Sequence, residues 1–219
     1  MLNFSILVTG LGGQGILLVS KVIASACGRK YPFVCRTETR GLSQRGGSVI
    51  SVVRFSSHAI TPVIGPAGAD LILSLDLLEA ARALPFLNHH GRVLTNGEFV
   101  TPAGLLEQWR STSGEKTNAQ GLASQLASLV DSRSGTYRLP LLELAKEAGC
   151  GKGLNSVLLG AASHFLPVPS NDLRQTLLSS VKPGTSEQNA KAFDAGLGAL
   201  AHGMHSSLQL PSPVSRAIA

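Results

Sequence analysis

The sequence is poor in cysteine. It contains three, Cys27, Cys35 and Cys150, and no two of them stand in a C-x-x-C spacing. An odd count without paired spacings argues against a disulfide framework, and it leaves too few thiolates for a zinc or iron–sulfur site made by this chain alone. We therefore expect buried, unreactive thiols and no metal site built by this chain.

Charge is also scarce. Charged residues make up 15% of the chain and hydrophobic residues 43%, and the formal net charge of +6 comes from scattered lysines and arginines. Nucleic-acid binding needs a concentrated basic stripe with aromatic residues beside it, so this class of partner is not expected. An anionic small molecule or an acidic partner fits the sign of the charge. So few charges also suit a surface that is partly covered by another chain.

Long apolar runs are missing. The longest, such as Leu71-Ile72-Leu73, are far too short to span a bilayer. Met1 to Val8 carries no basic segment of the kind that opens a signal peptide. The sequence therefore predicts a cytoplasmic protein with no membrane partner.

What the sequence does have is an alternation of short apolar segments with helical ones. Its 219 residues fit one domain with a sizeable core. The alternation, followed by three more helical segments, predicts an α/β fold: a doubly wound, mostly parallel, Rossmann-like sheet with C-terminal helices. We expect a single domain over residues 1–206 and a flexible tail over residues 207–219.

The individual elements follow from periodicity and from glycine and proline signals. Strands are predicted at Asn3–Thr9, Tyr31–Thr37, Ser48–Phe55, Ala69–Leu75, Gly91–Thr95 and Thr136–Leu139, with a further strand at Ala59–Ile64 pairing back on the third. Helices are predicted at Ile16–Cys27, Asp76–Leu84 (capped by Asp76), Ala103–Arg110, Ala119–Leu129, Pro140–Ala148, Leu154–Phe165, Asn171–Ser180 and Glu187–His202.

A glycine motif lies between the first strand and the first helix. Gly10, Gly12 and Gly15 fit G-x-G-x-x-G, with Gly13 and Gln14 inside it. The glycines permit a sharp turn, close approach of a pyrophosphate and tight packing of the helix on the strand. Unpaired N–H groups and the helix dipole then favour an anion, and Gln14 adds an amide donor. The motif predicts a phosphate site over Gly10–Gly15, and a tight turn without a ligand is the alternative.

The residues at the end of the second strand help to distinguish between possible ligands of the glycine motif. An NAD site needs an acidic residue there to hold the ribose hydroxyls. Glu38 is the candidate, although it comes about four residues late for a simple βαβ unit. Arg36 and Arg40 suit a phosphorylated ribose instead, and both alternatives stay open at this point.

A second candidate site is the polar segment from Glu38 to Ser48. It contains Arg40, Gln44, Arg45 and the pair Gly46-Gly47. The carboxyl end of a strand in a doubly wound sheet faces the ligand, and an arginine there can bind a phosphate or carboxylate bidentately. A solvated loop without a ligand fits the composition equally well.

These two segments resemble a known family. Gly-Leu-Gly-Gly-Gln-Gly-Ile at 10–16 and Thr-Glu-Thr-Arg-Gly-Leu-Ser-Gln-Arg-Gly-Gly-Ser-Val at 37–49 look like the gamma-type subunit of 2-oxoacid:ferredoxin oxidoreductases, above all the indolepyruvate:ferredoxin oxidoreductase beta subunit. The segments Asn155–Ala161 and Asn189–Phe193 also resemble this family. The resemblance covers Asn3–Thr95 and Gly149–Gly203. Phe99–Arg133 departs from it in length and composition, and Arg40 stands where relatives often carry histidine.

The resemblance implies an accessory subunit of an enzyme that converts a 2-oxo acid, such as indolepyruvate, a related aryl 2-oxo acid or pyruvate, into acyl-CoA, CO2 and reduced ferredoxin. The chain has no Gly-Asp-Gly motif for a magnesium diphosphate and no C-x₂-C-x₂-C run. Thiamine diphosphate, Mg and iron–sulfur clusters are therefore expected on a larger partner subunit, which would also meet ferredoxin. The chain alone would be inactive and would contain none of these cofactors.

The resemblance further implies that coenzyme A binds at the glycine turn, with its 3′-phosphate near Arg40 or Arg45. Two other functions stay open. One is a free-standing NAD(P)-binding oxidoreductase, which would need a pair such as Tyr-x-x-x-Lys that we do not find in the sequence. The other is an interaction subunit that binds no ligand.

Overall fold

The fold was obtained as a computed structural model that describes residues 2–40, 47–97 and 119–201. Its strands are β1 (Asn3–Leu11), β2 (Phe33–Arg40), β3 (Ser48–Ser56), β4 (Ala69–Ser74), β5 (Leu87–Asn96) and β6 (Thr136–Leu139). Its helices are α1 (Ile16–Cys27), α2 (Leu77–Ala83), α3 (Ala119–Asp131), α4 (Leu141–Glu147), α5 (Leu154–Ala162), α6 (Ser170–Leu178) and α7 (Ser186–Ala201). A single 3₁₀ turn at Leu84–Phe86 leads from α2 into β5.

The strands form one six-stranded sheet in the order β2-β3-β1-β4-β5-β6. β1, β4, β5 and β6 pair in parallel, whereas β3 is antiparallel to both of its neighbours, β1 and β2. Five of the six strands therefore run in one direction. This confirms the predicted α/β fold with a mostly parallel sheet, and it adds an antiparallel strand between β1 and β2.

Helices cover both faces of the sheet, as in a doubly wound fold. One core joins the sheet to α1, α4, α5, α6 and α7 and includes Ile6, Val8 and Phe193, all fully buried. The other joins it to α2 and α3 and includes Ile72 and Val130. The central strands are apolar on both sides because both sides are covered.

Most predicted elements are confirmed, with shifts at their ends. α1 has the predicted bounds, and Asp76 caps α2 as predicted, since its carboxylate accepts from the backbone N–H groups of Leu78 and Glu79 at 2.9 and 3.1 Å. β1 runs on through Gly10 to Leu11, so the turn begins at Gly12 rather than Gly10. The predicted helix at 103–110 and the tail at 207–219 lie outside the described residues.

The predicted strand at Ala59–Ile64 is wrong. β3 already has β1 on one edge and β2 on the other, so no edge of β3 is left for this segment to pair with. The guanidinium of Arg54 holds the segment instead, donating to the carbonyls of Thr61 and Val63 at 2.6 and 3.0 Å. A local pattern predicted a hairpin, but a more distant strand occupies that edge.

Candidate functional site

The two candidate segments meet at one edge of the sheet. Gly10 on β1 is opposite Val49 on β3, and Val49 is opposite Arg40 on β2. Just beyond the strands, the N–H of Gly12 donates to the carbonyl of Gly47 at 2.8 Å. The structure thus places Gly47, which follows the arginine-containing segment, beside the glycine turn, whereas Arg40 lies on β2, with β3 between it and β1.

The glycines of the turn have different steric roles. A Cβ added at Gly10 would lie 2.7 Å from Oε1 of Gln14 and 3.2 Å from Cβ of Leu75, so Gly10 allows close packing. Gly13 and Gly15 have φ angles of 99° and 90°, which residues with a side chain rarely adopt. Gly10, Gly13 and Gly15 are therefore favoured by the backbone itself, whether or not a ligand binds.

Gln14 fastens the turn to the neighbouring strand. Its Oε1 accepts from the N–H of Leu11 at 2.7 Å, and its Nε2 donates to the carbonyl of Leu75 at 3.4 Å. We expected this amide to be a donor for the ligand. Here both of its polar atoms bond the protein, which fixes the turn relative to the segment after β4.

The donors left at the turn are backbone N–H groups. The N–H of Gln14 donates to the carbonyl of Leu11 at 3.1 Å, and that of Gly12 is used by Gly47. Among the described residues, no acceptor is found for the N–H groups of Gly13, Gly15, Ile16 and Leu17. Gly15, Ile16 and Leu17 lie at the start of α1, where the helix dipole favours negative charge, and Gly13 lies in the turn just before it.

Asn155, on α5, is a residue of this site that the sequence analysis did not single out. A Cβ added at Gly15 would collide with its Nδ2, so the amide lies directly against the turn. Its Oδ1 accepts from the N–H of Ser156 at 2.8 Å, and its Nδ2 has no acceptor among the described residues. The only sequence signal was that Asn155 begins one of the segments of family resemblance.

A buried carboxylate supports the other flank of the site. Glu79 on α2 is 1% exposed, and it accepts from the hydroxyl of Ser48 at 2.5 Å and from the guanidinium of Arg82 at 2.7 Å. These bonds fix the first residue of β3, next to Gly47. Sequence periodicity could not reveal this contact, because the residues lie on separate elements.

Replacing Ser48 with alanine is expected to lower the free energy of unfolding by about 1.5–3 kcal/mol, because the buried Glu79 carboxylate loses a hydrogen-bond donor. Urea denaturation measures this change. Ser179 is exposed and its hydroxyl bonds a carbonyl of its own helix, so Ser179→Ala is the control, expected within about 0.5 kcal/mol of wild type. Equal effects of the two changes would contradict this role for Ser48.

The remaining predicted site residues are only partly described. Glu38 lies within β2, where its carboxylate forms an ion pair with Arg36 at 2.8 Å. Arg36 also donates to the hydroxyl of Ser20 on α1 at 3.4 Å. The backbone of Arg40 ends β2, and Gln44, Arg45 and Gly46 lie outside the described residues.

The cysteines are as expected at two of three positions. Cys27 and Cys150 are buried, and burial raises the pKa of both thiols, that of Cys27 to about 12. Cys35 is only partly buried. No three His, Cys, Asp or Glu side chains of the described ranges come together to hold a metal ion. No helix in the same ranges is long and apolar enough to cross a membrane.

Comparison with solved structures identifies the fold. The gamma subunit of keto/oxoacid ferredoxin oxidoreductase from Geobacter sulfurreducens has a TM-score of 0.64 at 24% identity, covering 92% of this chain and 98% of that one. The 2-oxoglutarate:ferredoxin oxidoreductase from Magnetococcus marinus, solved with 2-oxoglutarate, coenzyme A and succinyl-CoA, has the same TM-score at 21% identity. There the match covers 91% of this chain and 31% of that longer one.

Comparison of sequences shows the family. Indolepyruvate oxidoreductase subunit IorB from Methanothermobacter thermautotrophicus is 32% identical over 204 residues, which cover 91% of this chain and 99% of that protein. IorB from Pyrococcus horikoshii is 32% identical over 210 residues, covering 91% and 96%. The pyruvate ferredoxin/flavodoxin oxidoreductase family matches residues 5–199. The chain therefore belongs to the pyruvate ferredoxin/flavodoxin oxidoreductase family.

Proposed function

We propose that this chain is the accessory subunit of an oxidoreductase that acts on a 2-oxo acid, with indolepyruvate or a related aryl 2-oxo acid as substrate and ferredoxin as acceptor. One observation carries the proposal: the match to the IorB subunits runs nearly end to end, covering 91% of this chain and 99% of one relative. The residues of this chain therefore correspond to nearly the whole length of that small subunit.

The larger partner would hold thiamine diphosphate, Mg and the iron–sulfur clusters and would pass electrons to ferredoxin. The sequence supports this division because its three cysteines form no cluster motif and it has no magnesium–diphosphate motif. Its low content of charged residues suits a subunit with a large covered surface. The complex would act in the cytoplasm.

We also propose that the glycine turn contributes to binding coenzyme A. The fit to a pyrophosphate is chemical: the N–H groups of Gly13, Gly15, Ile16 and Leu17 and the amide of Asn155 are donors, and none has an acceptor among the described residues. They would hold the pyrophosphate, while Gly47 closes the turn from the other side. Arg40 and Arg45 would bind the 3′-phosphate.

The position of Glu38 argues against the alternative of a free-standing NAD(P) enzyme. In a dinucleotide-binding fold the acidic residue that holds the ribose ends the strand next to β1. Here β3 lies between β1 and β2, so Glu38 is two strand spacings, about 10 Å, from β1. Its carboxylate also forms an ion pair with Arg36.

Reconstitution tests the subunit assignment. The chain is purified from its native cells, its attached chains are identified, and oxidation of indolepyruvate, pyruvate and 2-oxoglutarate is measured with ferredoxin and coenzyme A. We expect a larger attached subunit, activity only when both chains are present, and no iron, sulfide or thiamine diphosphate in the isolated chain. A lone monomer with full 2-oxo acid oxidation would overturn the assignment.

Arg45→Ala tests the 3′-phosphate contact. A charge-assisted hydrogen bond contributes about 1.5–3 kcal/mol, so the change is expected to weaken coenzyme A binding about tenfold or somewhat more. Dephospho-coenzyme A lacks this phosphate, so Arg45→Ala is expected to leave the affinity for dephospho-coenzyme A unchanged. Calorimetry on the reconstituted complex measures both, with exposed Arg133→Ala as a control. Equal losses for the two ligands would contradict the assignment.

A further inference from the structure

β2 is one of the two edge strands of the sheet, and β6 is the other. β2 pairs with β3 on one side, and within the described part of the chain no strand covers its other side. Phe33, at its start, is 42% exposed, and Arg36, Glu38 and Thr39 are exposed as well. An eight-residue edge of this kind presents a row of backbone donors and acceptors to another strand.

The charges on this edge are complementary to themselves. Arg36 and Glu38 point to the same face of the sheet, since their side chains form an ion pair at 2.8 Å. If a second β2 lies antiparallel with Thr37 opposite Thr37, each Arg36 stands opposite a Glu38 of the other copy. Opposite charges directly across two strands stabilise the pair, and like charges destabilise it.

The neighbouring registers that keep the same faces together are unfavourable. Centring the pair on Glu38 places Glu38 opposite Glu38 and Arg36 opposite Arg40. Centring it on Arg36 places two arginines opposite each other. Charged residues on an edge strand ordinarily prevent pairing with other strands. Here they select one register, and the strand that fits it is another copy of β2.

We propose that β2 is a self-association edge, through which two copies of the chain join their six-stranded sheets by an antiparallel β2–β2 pair centred on Thr37. The twofold axis then passes through the sheet at Thr37, and the α1 faces of both copies lie on the same side. The glycine turns stay clear of this edge, because β3 separates them from β2.

Sedimentation equilibrium of the full chain over a wide concentration range tests this proposal. We expect a dimer whose dissociation constant rises about tenfold or more in Arg36→Glu and in Glu38→Arg, because each change places two pairs of like charges across the axis. The double variant R36E/E38R restores the pairs and is expected to dimerise like wild type. Lys182→Glu makes the same change of net charge as Arg36→Glu at an exposed site outside β2 and is expected to have no effect.

Circular dichroism melting of each variant shows whether it is folded, and the double variant tests the register independently of any loss of stability in the single ones. A chain that stays monomeric at all concentrations overturns the proposal. So does a dimer that neither single reversal weakens, or one that the double variant fails to restore. Reconstituted 2-oxo acid oxidation is a separate measurement, so failure here leaves the subunit assignment untouched.

Discussion

Replacing Gly196 with alanine is expected to lower the free energy of unfolding by about 3 kcal/mol, whereas the same change at Gly198 is expected to raise it by about 0.5–1 kcal/mol. Both glycines lie on α7, two residues apart. Alanine favours a helix by a similar amount at either position. The difference between them therefore measures the packing of α7 alone.

The physical reason is the contact between α5 and α7. A Cβ at Gly196 would overlap the carbonyl oxygen of Val157, and a Cβ at Gly160 would overlap that of Phe193. A Cβ at Gly198 would meet no atom within 4 Å in the described residues outside its own helix backbone. The obstacles at the first two positions are backbone atoms, which cannot turn aside like a side chain. The two helices would have to separate, and the cores they share would lose their packing.

Urea denaturation of the three single variants and of the pair G160A/G196A checks this. Once one added methyl has separated the helices, the second finds more room, so the double variant is expected to lose less stability than the two single changes together. Full additivity, or equal effects at Gly196 and Gly198, would contradict a close crossing of the helices at these glycines.

These helix glycines show where sequence reasoning ends. The bounds of α1 and the cap at Asp76 could be predicted because they depend on residues close together in the chain. The reason for Gly160 and Gly196 could not, since each is defined by a helix more than thirty residues away in sequence. A glycine inside a helical sequence pattern only indicates a lower helix propensity, and its packing role becomes clear once the helix that contacts it is known.

The sheet order has the same origin. The six strands were predicted from local patterns, but the insertion of β3 between β1 and β2 depends on which edges are free when the whole sheet forms. That insertion made the predicted strand at Ala59–Ile64 wrong, and it separates Glu38 from the glycine turn. Likewise, Asn155 reaches Gly15 from α5, across 140 residues of sequence, so only the resemblance pointed to its segment.

Gly13→Ala is expected to weaken coenzyme A binding to the reconstituted complex about a hundredfold while the fold is kept. Gly13 is exposed, and a Cβ added there would meet no atom of the described residues within 4 Å, so this part of the protein leaves room for the methyl group. Under the proposed function this space belongs to the pyrophosphate. Losing two charge-assisted hydrogen bonds of about 1.5 kcal/mol each corresponds to about a hundredfold in affinity.

The φ angle of 99° at Gly13 also costs an alanine about 1–2 kcal/mol of stability, so binding must be separated from backbone strain. Gly184 provides the matched control. Its φ is 86°, a Cβ there would also meet no atom of the described residues within 4 Å, and it lies between α6 and α7, outside the glycine turn. Gly184→Ala is expected to lower the free energy of unfolding by the same amount in urea and to leave the affinity for coenzyme A unchanged in calorimetry.

If both variants bind coenzyme A as wild type does, the glycine turn is a structural element of the sheet and the ligand lies elsewhere in the complex. If both lose affinity alike, the loss reflects stability, because the two positions share only their backbone strain.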